Sequence, residues 1–103
     1  MRKSILVALA AVWAVPAGAQ STGNALAGQT LARQWCASCH LISGTEGRTS
    51  DAAPPFEAVA RRASTTETSL WVFLQTPHRQ MPNYTLTRQE TDDVVAYILG
   101  LRR

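Results

Sequence analysis

The two cysteines of this 103-residue chain lie in one short stretch, "RQWCASCHLI", which covers residues 33–42. Cys36 and Cys39 are three positions apart, and His40 follows the second cysteine directly. Because the chain has no other cysteine, any cross-link or metal site built from thiolates must involve this pair. Two thiols and an imidazole within five residues constrain the fold more than any other feature of the sequence, and they have four common explanations.

Three of these explanations do not account for all three residues, Cys36, Cys39 and His40. A structural zinc ion needs four ligands, and the chain offers only these three residues and His78. His40, directly after Cys39, could not easily share a tetrahedral metal with it. A thioredoxin-like redox pair requires a strand–helix unit, and the sequence contains no convincing strand. A short-loop disulfide is possible in an oxidising compartment, but it gives His40 no role.

The fourth explanation, covalent attachment of a haem, uses all three residues. Thiols three residues apart on a turn at a helix end can reach the two vinyl groups of a haem and form thioethers. The histidine that follows then projects towards the iron as the proximal ligand, and C-x-x-C-H is the sequence form of this attachment. The sequence therefore predicts one haem c, bound covalently through Cys36 and Cys39 and ligated by His40.

The N-terminal segment has the three parts of a secretory signal. Residues 2–3 form a basic start, an uncharged apolar run covers residues 5–15, and the small residues at 17–19 suit a signal peptidase. An anchor helix is the alternative, but the run is well short of the ~20 apolar residues that a bilayer core requires. We therefore expect a signal peptide over residues 1–19, cleavage before Gln20, and export to the periplasm.

The predicted mature domain, residues 20–103, is small for a chain that folds on its own. With the 19 signal residues removed from 103, the remaining 84 residues bury little core. Domains of this size commonly depend on disulfides, a metal or a large cofactor. Removing the two N-terminal cations from the ten in the chain leaves eight arginines against seven acidic residues. A net charge near +1 predicts neither nucleic-acid binding nor a polybasic membrane surface.

Helix signals account for most of the mature chain. Asn24 can cap a first helix, and capping boxes in "STTE" at residues 64–67 and "TRQE" at residues 87–90 can start two more. A short helix is expected in "FEAVARR", residues 56–62, and residues 43–55 have the composition of a loop. No run alternates for long enough to be a strand. The predicted fold is all-α, with three main helices, a short one and long loops.

Two patterns indicate how the helices pack and end. Gly28 lies inside the first helix, where a glycine costs ~1 kcal/mol against alanine. Either another helix crosses at this position or the glycine is simply tolerated.

In the last helix, Val94, Ile98 and Leu101 mark a buried stripe that Tyr97 flanks. Pro77 should end the helix that precedes it in the chain.

From residue 24 onwards the chain resembles the small class I c-type cytochromes. "GQTLARQWCASCH" is similar to the family's first helix and attachment motif. "APPFEAVARR" resembles the segment whose proline carbonyl accepts a hydrogen bond from the proximal histidine, and "LWVFLQTPHRQMPNYTLT" resembles the segment with the axial methionine. The resemblance implies that Pro54 supplies the carbonyl, with Pro55 as second candidate, and that Met81 is the axial methionine.

The implied ligand set fills both axial positions of one iron with His40 and Met81. Met81 precedes a proline as in the family, and it is the only thioether left after the initiator methionine is removed with the signal. His78 lies three residues earlier and offers an imidazole instead. The resemblance and the shortage of thioethers favour Met81. The resemblance further implies that the last helix crosses the first at Gly28, with Tyr97 packed across that glycine.

The surroundings of the haem can be anticipated in part. Five apolar side chains are expected to line it: Leu41, Phe56, Trp71, Phe73 and Leu74. Many cytochromes of this class bind their partners through a ring of lysines, and the mature chain contains no lysine. Partner binding would instead involve apolar surface and three arginines: Arg61, Arg62 and Arg79.

The resemblance implies a periplasmic carrier that passes single electrons between larger redox proteins of the dehydrogenase or oxidase type. With both axial positions filled, the iron has no open site for a substrate, so we expect no enzymatic activity. We also expect a monomer that neither binds nucleic acid nor stays inserted in the membrane after signal cleavage. The alternatives are a haem subunit or accessory module of a dehydrogenase or oxidase complex, and a small haem peroxidase in which Met81 is displaced.

Overall fold

The computed structural model describes residues 11, 13–14, 22–43 and 53–102. Within these residues the chain forms four helices and no strand: α1 (Ala25–Trp35), α2 (Phe56–Arg61), α3 (Glu67–Gln75) and α4 (Arg88–Gly100). The prediction of an all-α fold with three main helices and a short one is confirmed. The predicted cleavage site before Gln20, most of the predicted signal peptide and most of the predicted loop lie outside the described residues.

Side-chain caps fix the starts of α1 and α4 where the sequence predicted them. The Asn24 side chain accepts hydrogen bonds from the backbone N–H groups of Leu26 and Ala27, at 3.0 and 3.1 Å. At α4, Thr87 and Glu90 form the reciprocal bonds of a capping box. Each cap satisfies N–H groups that the first turn of a helix leaves without a partner. The side chains that cap each start lie within three residues of the N–H groups they satisfy, which is why the local sequence could predict them.

The predicted start of α3 is wrong by two residues. The cap is Thr66 rather than Ser64, and its partner in the capping box is Ser69 rather than Glu67. The Thr66 N–H donates to Ser69 Oγ at 2.8 Å, and the Ser69 N–H donates to Thr66 Oγ1 at 3.0 Å. The preceding Thr65 is buried, and its hydroxyl donates to a carbonyl of α2 at 2.7 Å. This tertiary bond accounts for the later start, because it holds Thr65 against α2.

The end of α3 follows the prediction made from Pro77. The helix ends at Gln75, and Thr76 after it has extended backbone angles. A proline disfavours helical geometry in the residue before it, so the helix cannot continue up to Pro77. The short helix α2 ends at Arg61, one residue before the predicted boundary.

Helices α1 and α4 cross in direct backbone contact. A Cβ atom on Gly28 would overlap the carbonyl oxygen of Asp93, and one on Gly23 would overlap the carbonyl oxygen of Asp92. So close an approach of two backbones leaves no room for a side chain at the point of contact. The interpretation of Gly28 as a crossing point is confirmed, and Gly23 is a second contact of the same kind.

A buried carboxylate also joins the start of α1 to α4. Asp93 Oδ1 accepts hydrogen bonds from the Asn24 N–H at 2.7 Å and from Gln89 Nε2 at 2.8 Å. Because Asp93 is only 7% exposed, these bonds to a charged acceptor stabilise a group that would be costly to bury alone. After α4, the guanidinium of Arg102 donates to a carbonyl of α2 and to that of Thr65.

The core lies between α4 and the other helices. Its buried apolar side chains come from all four helices and from the segment between α1 and α2. They are Ala32, Ile42, Phe56, Ala60, Leu70, Val94, Val95, Tyr97 and Ile98. Of the predicted stripe, Val94 and Ile98 are buried, whereas Leu101, just after the end of α4, is only partly buried. The Tyr97 ring lies with its centroid 6.4 Å from that of Phe56, and its packing across Gly28 stays a prediction.

Candidate cofactor site

A cavity of about 740 Å³ lies between the turn after α1, helices α2 and α3, and residues 77–86, which we call the Met81 segment. The volume is within the range of about 300–1,000 Å³ that is usual for ligand and cofactor sites. All five predicted site residues line the cavity: Cys36, Cys39, His40, Pro54 and Met81. The fold thus brings together residues that come from three separate segments of the chain.

The turn after α1 carries both thiols. Helix α1 ends at Trp35, and the Cys36 N–H donates to the Ala32 carbonyl at 2.8 Å. The Cys36 carbonyl then accepts hydrogen bonds from the N–H groups of Cys39 at 3.2 Å and His40 at 2.9 Å. These bonds fold the attachment motif into one compact turn on the cavity wall.

The buried Cys36 thiol differs from the attacking cysteine of a thioredoxin-like redox pair. Burial raises the pKa of the Cys36 thiol from 9.0 to about 11, and Cys39 is exposed. The attacking cysteine of a thioredoxin-like pair has a lowered pKa instead, because the thiolate is the nucleophile. In the part of the chain that the structure describes, no group of three or more Cys, His, Asp and Glu side chains could hold a metal ion.

The orientation of His40 is fixed by two contacts. Its Nδ1 lies 2.7 Å from the Pro54 carbonyl oxygen. A carbonyl oxygen can only accept, so Nδ1 carries the proton and Nε2 keeps its lone pair. The imidazole also lies 5.1 Å from the Phe56 ring, centroid to centroid, at an interplanar angle of 58°. A metal-binding histidine is typically held in this way, with its second ring nitrogen donating to a carbonyl.

Both candidates for the second axial ligand line the cavity. Met81 and His78 are each half-buried, and they lie on the same segment. The His78 ring is stacked on Phe73, with 3.7 Å between centroids and an interplanar angle of 24°. Further along, Tyr84 is stacked on Trp35 at 5.6 Å. The His78 imidazole therefore already has an aromatic partner, which the sequence did not indicate.

The apolar wall differs in part from the expected one. Three of the predicted side chains line the cavity: Phe56, Phe73 and Leu74. Leu41 and Trp71 do not. The indole N–H of Trp71 donates to Asp92 Oδ1 at 3.0 Å, so its polar edge is directed at α4. This partner is 21 residues away in the sequence, and helix periodicity alone could not reveal it.

Several lining residues were missed from the sequence. They are Trp35, Val59, Leu70, Tyr84 and Ile98. Trp35 directly precedes the first cysteine, and Leu70 and Ile98 belong to the apolar faces of α3 and α4, so position and periodicity could have found these three. Tyr84 lies in a segment without regular structure and carried no such signal.

Among the described residues, the charged side chains on the cavity wall are cationic. Arg62 and Arg79 line the cavity, and none of the described lining residues is acidic. Arg61 instead lies 3.7 Å from Glu57 in an exposed ion pair, a kind of contact that contributes little to stability. An apolar cavity with two guanidinium groups fits a haem, which is a large apolar ring with two propionate carboxylates.

Comparisons with known proteins lead to the same family. The family model described as "Cytochrome C oxidase, cbb3-type, subunit III" matches residues 23–98. The chain is 42% identical over 93 residues to Cytochrome c-552 from Bradyrhizobium diazoefficiens, with 85% of this chain and 89% of the relative covered. No solved structure matches the chain. The chain therefore belongs to the small monohaem c-type cytochromes, which are haem-based electron carriers with covalently attached haem c.

Proposed function

We propose that Cys36 and Cys39 attach the haem through thioethers and that His40 and Met81 ligate its iron. The observation that carries this proposal is the convergence of the four side chains on one cavity, together with the 2.7 Å contact between His40 Nδ1 and Pro54. That hydrogen bond leaves His40 Nε2 as the nitrogen available to a metal. A carrier of single electrons is the function that this ligand set supports best.

The residues around the haem determine how it works. When bound, the haem supplies a one-electron iron couple. Pro54 orients the His40 ring and raises the basicity of its ligating nitrogen. The Met81 thioether favours the reduced iron and raises the potential, and an apolar lining acts in the same direction by excluding water. Two protein ligands leave no coordination site for a substrate, so we propose electron transfer without an enzymatic step.

We propose that the carrier works in the periplasm, as residues 20–103, after removal of a signal peptide over residues 1–19. The support is the pattern of the N-terminus: a basic start, a short apolar run and small residues before Gln20. None of the helices in the described part of the chain is both long and apolar enough to span a bilayer. N-terminal sequencing of the haem-loaded protein tests the proposal, and a holoprotein that retains Met1 would contradict it.

For its partners, we propose larger redox proteins of the dehydrogenase or oxidase type, reached by a freely diffusing monomer. The relative named Cytochrome c-552 supports a small independent protein, because 89% of its length is covered by this chain. The description of the family model favours a second candidate, a haem subunit of an oxidase complex. Affinity purification from solubilised membranes separates the two. A free carrier is recovered alone, whereas a subunit is recovered in constant ratio with a large complex.

Replacing Met81 tests the ligand set. Ferric wild-type protein should show the weak red-edge charge-transfer band of sulfur-to-iron ligation. Met81→Ala should abolish the band and lower the midpoint potential by on the order of 100 mV or more, since axial ligands set haem potentials over a range of about 0.8 V. The matched control is His78→Phe, three residues away, which should keep the band and most of the potential.

Two other spectra would contradict the assignment. A bis-histidine spectrum in the wild type that is lost in His78→Phe and unchanged in Met81→Ala would make His78 the ligand. A high-spin ferric spectrum in the wild type, with rapid binding of peroxide, would indicate an open iron site and a peroxidase.

A further inference from the structure

The Met81 segment is held to the rest of the protein by two aromatic stacks placed symmetrically about Met81. Three residues before Met81, the His78 ring stacks on Phe73 of α3 at 3.7 Å. Three residues after it, the Tyr84 ring stacks on Trp35, the last residue of α1, at 5.6 Å and 21°. The stacks thus join the segment to two different helices, one on each side of the proposed ligand.

Hydrogen bonds contribute little to holding this segment. Within the described part of the chain, residues 77–86 make two hydrogen bonds, and both are local. The Tyr84 N–H donates to the Pro82 carbonyl, and the Leu86 N–H donates to the Tyr84 carbonyl. The two prolines of the segment, Pro77 and Pro82, have no N–H to donate. Ring contacts are therefore the main attachment of residues 77–86 to the helices.

One of the stacks also forms a wall of the cavity. Phe73 and His78 line the cavity, and with Ser69 they also line a groove on the outer side of α3 that includes Val72 and Thr76. The pair of rings therefore separates the cavity from this outer groove. Opening the stack would join the cavity to the outer groove beside the proposed sixth-ligand position.

We propose that the Phe73–His78 and Trp35–Tyr84 stacks position Met81 in the cavity and set how often the Met81 segment opens. The proposal rests on the assignment of Met81 as axial ligand, and it gives His78 and Tyr84 the role of positioning residues. The rings are partly exposed, 43% for Phe73 and 38% for Tyr84. Half-exposed contacts in an irregular segment open at much lower cost than the core does.

The size of the effect follows from the strength of aromatic pairs. Loss of one such pair corresponds to about a three- to tenfold change in an equilibrium or rate constant. Because the stacks join different helices, removing both should roughly multiply the two effects. The expected change is an increase in the opening rate of the segment, with the ground state still ligated by Met81.

The test uses haem-loaded protein and external imidazole as the probe. At saturating imidazole, the rate of binding to ferric iron equals the rate at which Met81 leaves. We expect His78→Ala and Tyr84→Ala each to raise this rate about three- to tenfold, and the double variant to raise it further. His78→Phe and Tyr84→Phe keep a ring for stacking and should bind imidazole at the wild-type rate. Val72→Ala, which removes an exposed side chain beside Phe73, controls for general effects on α3.

Two outcomes would overturn the proposal. One is a rate in Tyr84→Ala within twofold of wild type; the other is an equal increase in Tyr84→Ala and Tyr84→Phe. Failure of the ligand assignment is recognised separately, because the wild type would then lack the sulfur-to-iron band. In that case amide hydrogen exchange of residues 77–86 tests whether the stacks hold the segment. Faster exchange in the alanine variants than in the phenylalanine variants supports positioning by the stacks. Equal exchange in the two sets of variants refutes it.

Discussion

The α1–α4 crossing and the Met81 segment are held by opposite means. At the crossing, backbone contacts backbone at Gly23 and Gly28, and the buried Asp93 carboxylate accepts two hydrogen bonds. The Met81 segment closes over a cavity of about 740 Å³ with two half-exposed ring stacks. Protein atoms alone complete the first region, whereas the second encloses a space for the cofactor.

This difference separates the residues that determine stability from those that determine access to the site. Close-packed contacts tolerate almost no change in volume, because neighbouring backbone cannot move independently. Surface contacts of an irregular segment open locally without unfolding the protein. Variants at the crossing should therefore change the free energy of unfolding, and variants in the Met81 segment should change ligand exchange at nearly constant stability.

The largest effect is expected when the cofactor is withheld. A Cys36→Ala, Cys39→Ala double variant should not receive covalent haem, and most of the ~5–15 kcal/mol that stabilises an ordinary domain should be lost. Near-ultraviolet circular dichroism should collapse, while far-ultraviolet signal from the α1–α4 pair partly persists. Ser38→Ala, between the two cysteines, is the matched control and should retain haem. A cysteine-free chain that still unfolds cooperatively would show that the crossing is sufficient for folding.

The crossing itself is tested by Gly28→Ala. The added Cβ would overlap the Asp93 carbonyl oxygen, so the helices must separate, and we expect a loss of about 3 kcal/mol or more in the free energy of unfolding. Chemical denaturation of the haem-loaded protein measures it. The matched control is Gly100→Ala at the end of α4, where nothing lies within 4 Å of the new atom. It should stabilise the protein by up to about 1 kcal/mol. Equal effects of the two substitutions would refute the close approach.

The smallest effect is expected at Tyr97. Its hydroxyl is buried, and in the described part of the chain it has no hydrogen-bond partner. Removing an unpaired buried hydroxyl relieves a desolvation cost, so Tyr97→Phe should leave the free energy of unfolding unchanged or raise it by about 1 kcal/mol. Tyr97→Leu, which also removes the ring that lies near Phe56, serves as the comparison and should be destabilising. A clear loss of stability in Tyr97→Phe would mean that the hydroxyl is hydrogen-bonded in solution.

The sequence predicted best what depends on neighbouring residues. The helix starts at Asn24 and Thr87 follow from local capping, and the residues of the attachment turn are adjacent in the chain. The predictions from sequence were wrong where a residue distant in the chain determines the structure. Helix α3 begins later than predicted because Thr65 is hydrogen-bonded to α2, and Trp71 is directed away from the cavity because its indole N–H donates to Asp92. The stack on Tyr84 depends on a residue of α1, which no short sequence pattern could indicate.

The crossing has a consequence for the order of events during folding. Asn24 and Asp93, which are hydrogen-bonded there, are 69 positions apart in the chain. A contact of such long range pays a large loop-closure entropy, and it can form only when nearly the whole chain is available. The turn from Cys36 to His40 needs only five consecutive residues and can form much earlier. We therefore expect a stage early in folding at which both thiols are accessible for haem attachment while Asn24 and Asp93 are still apart.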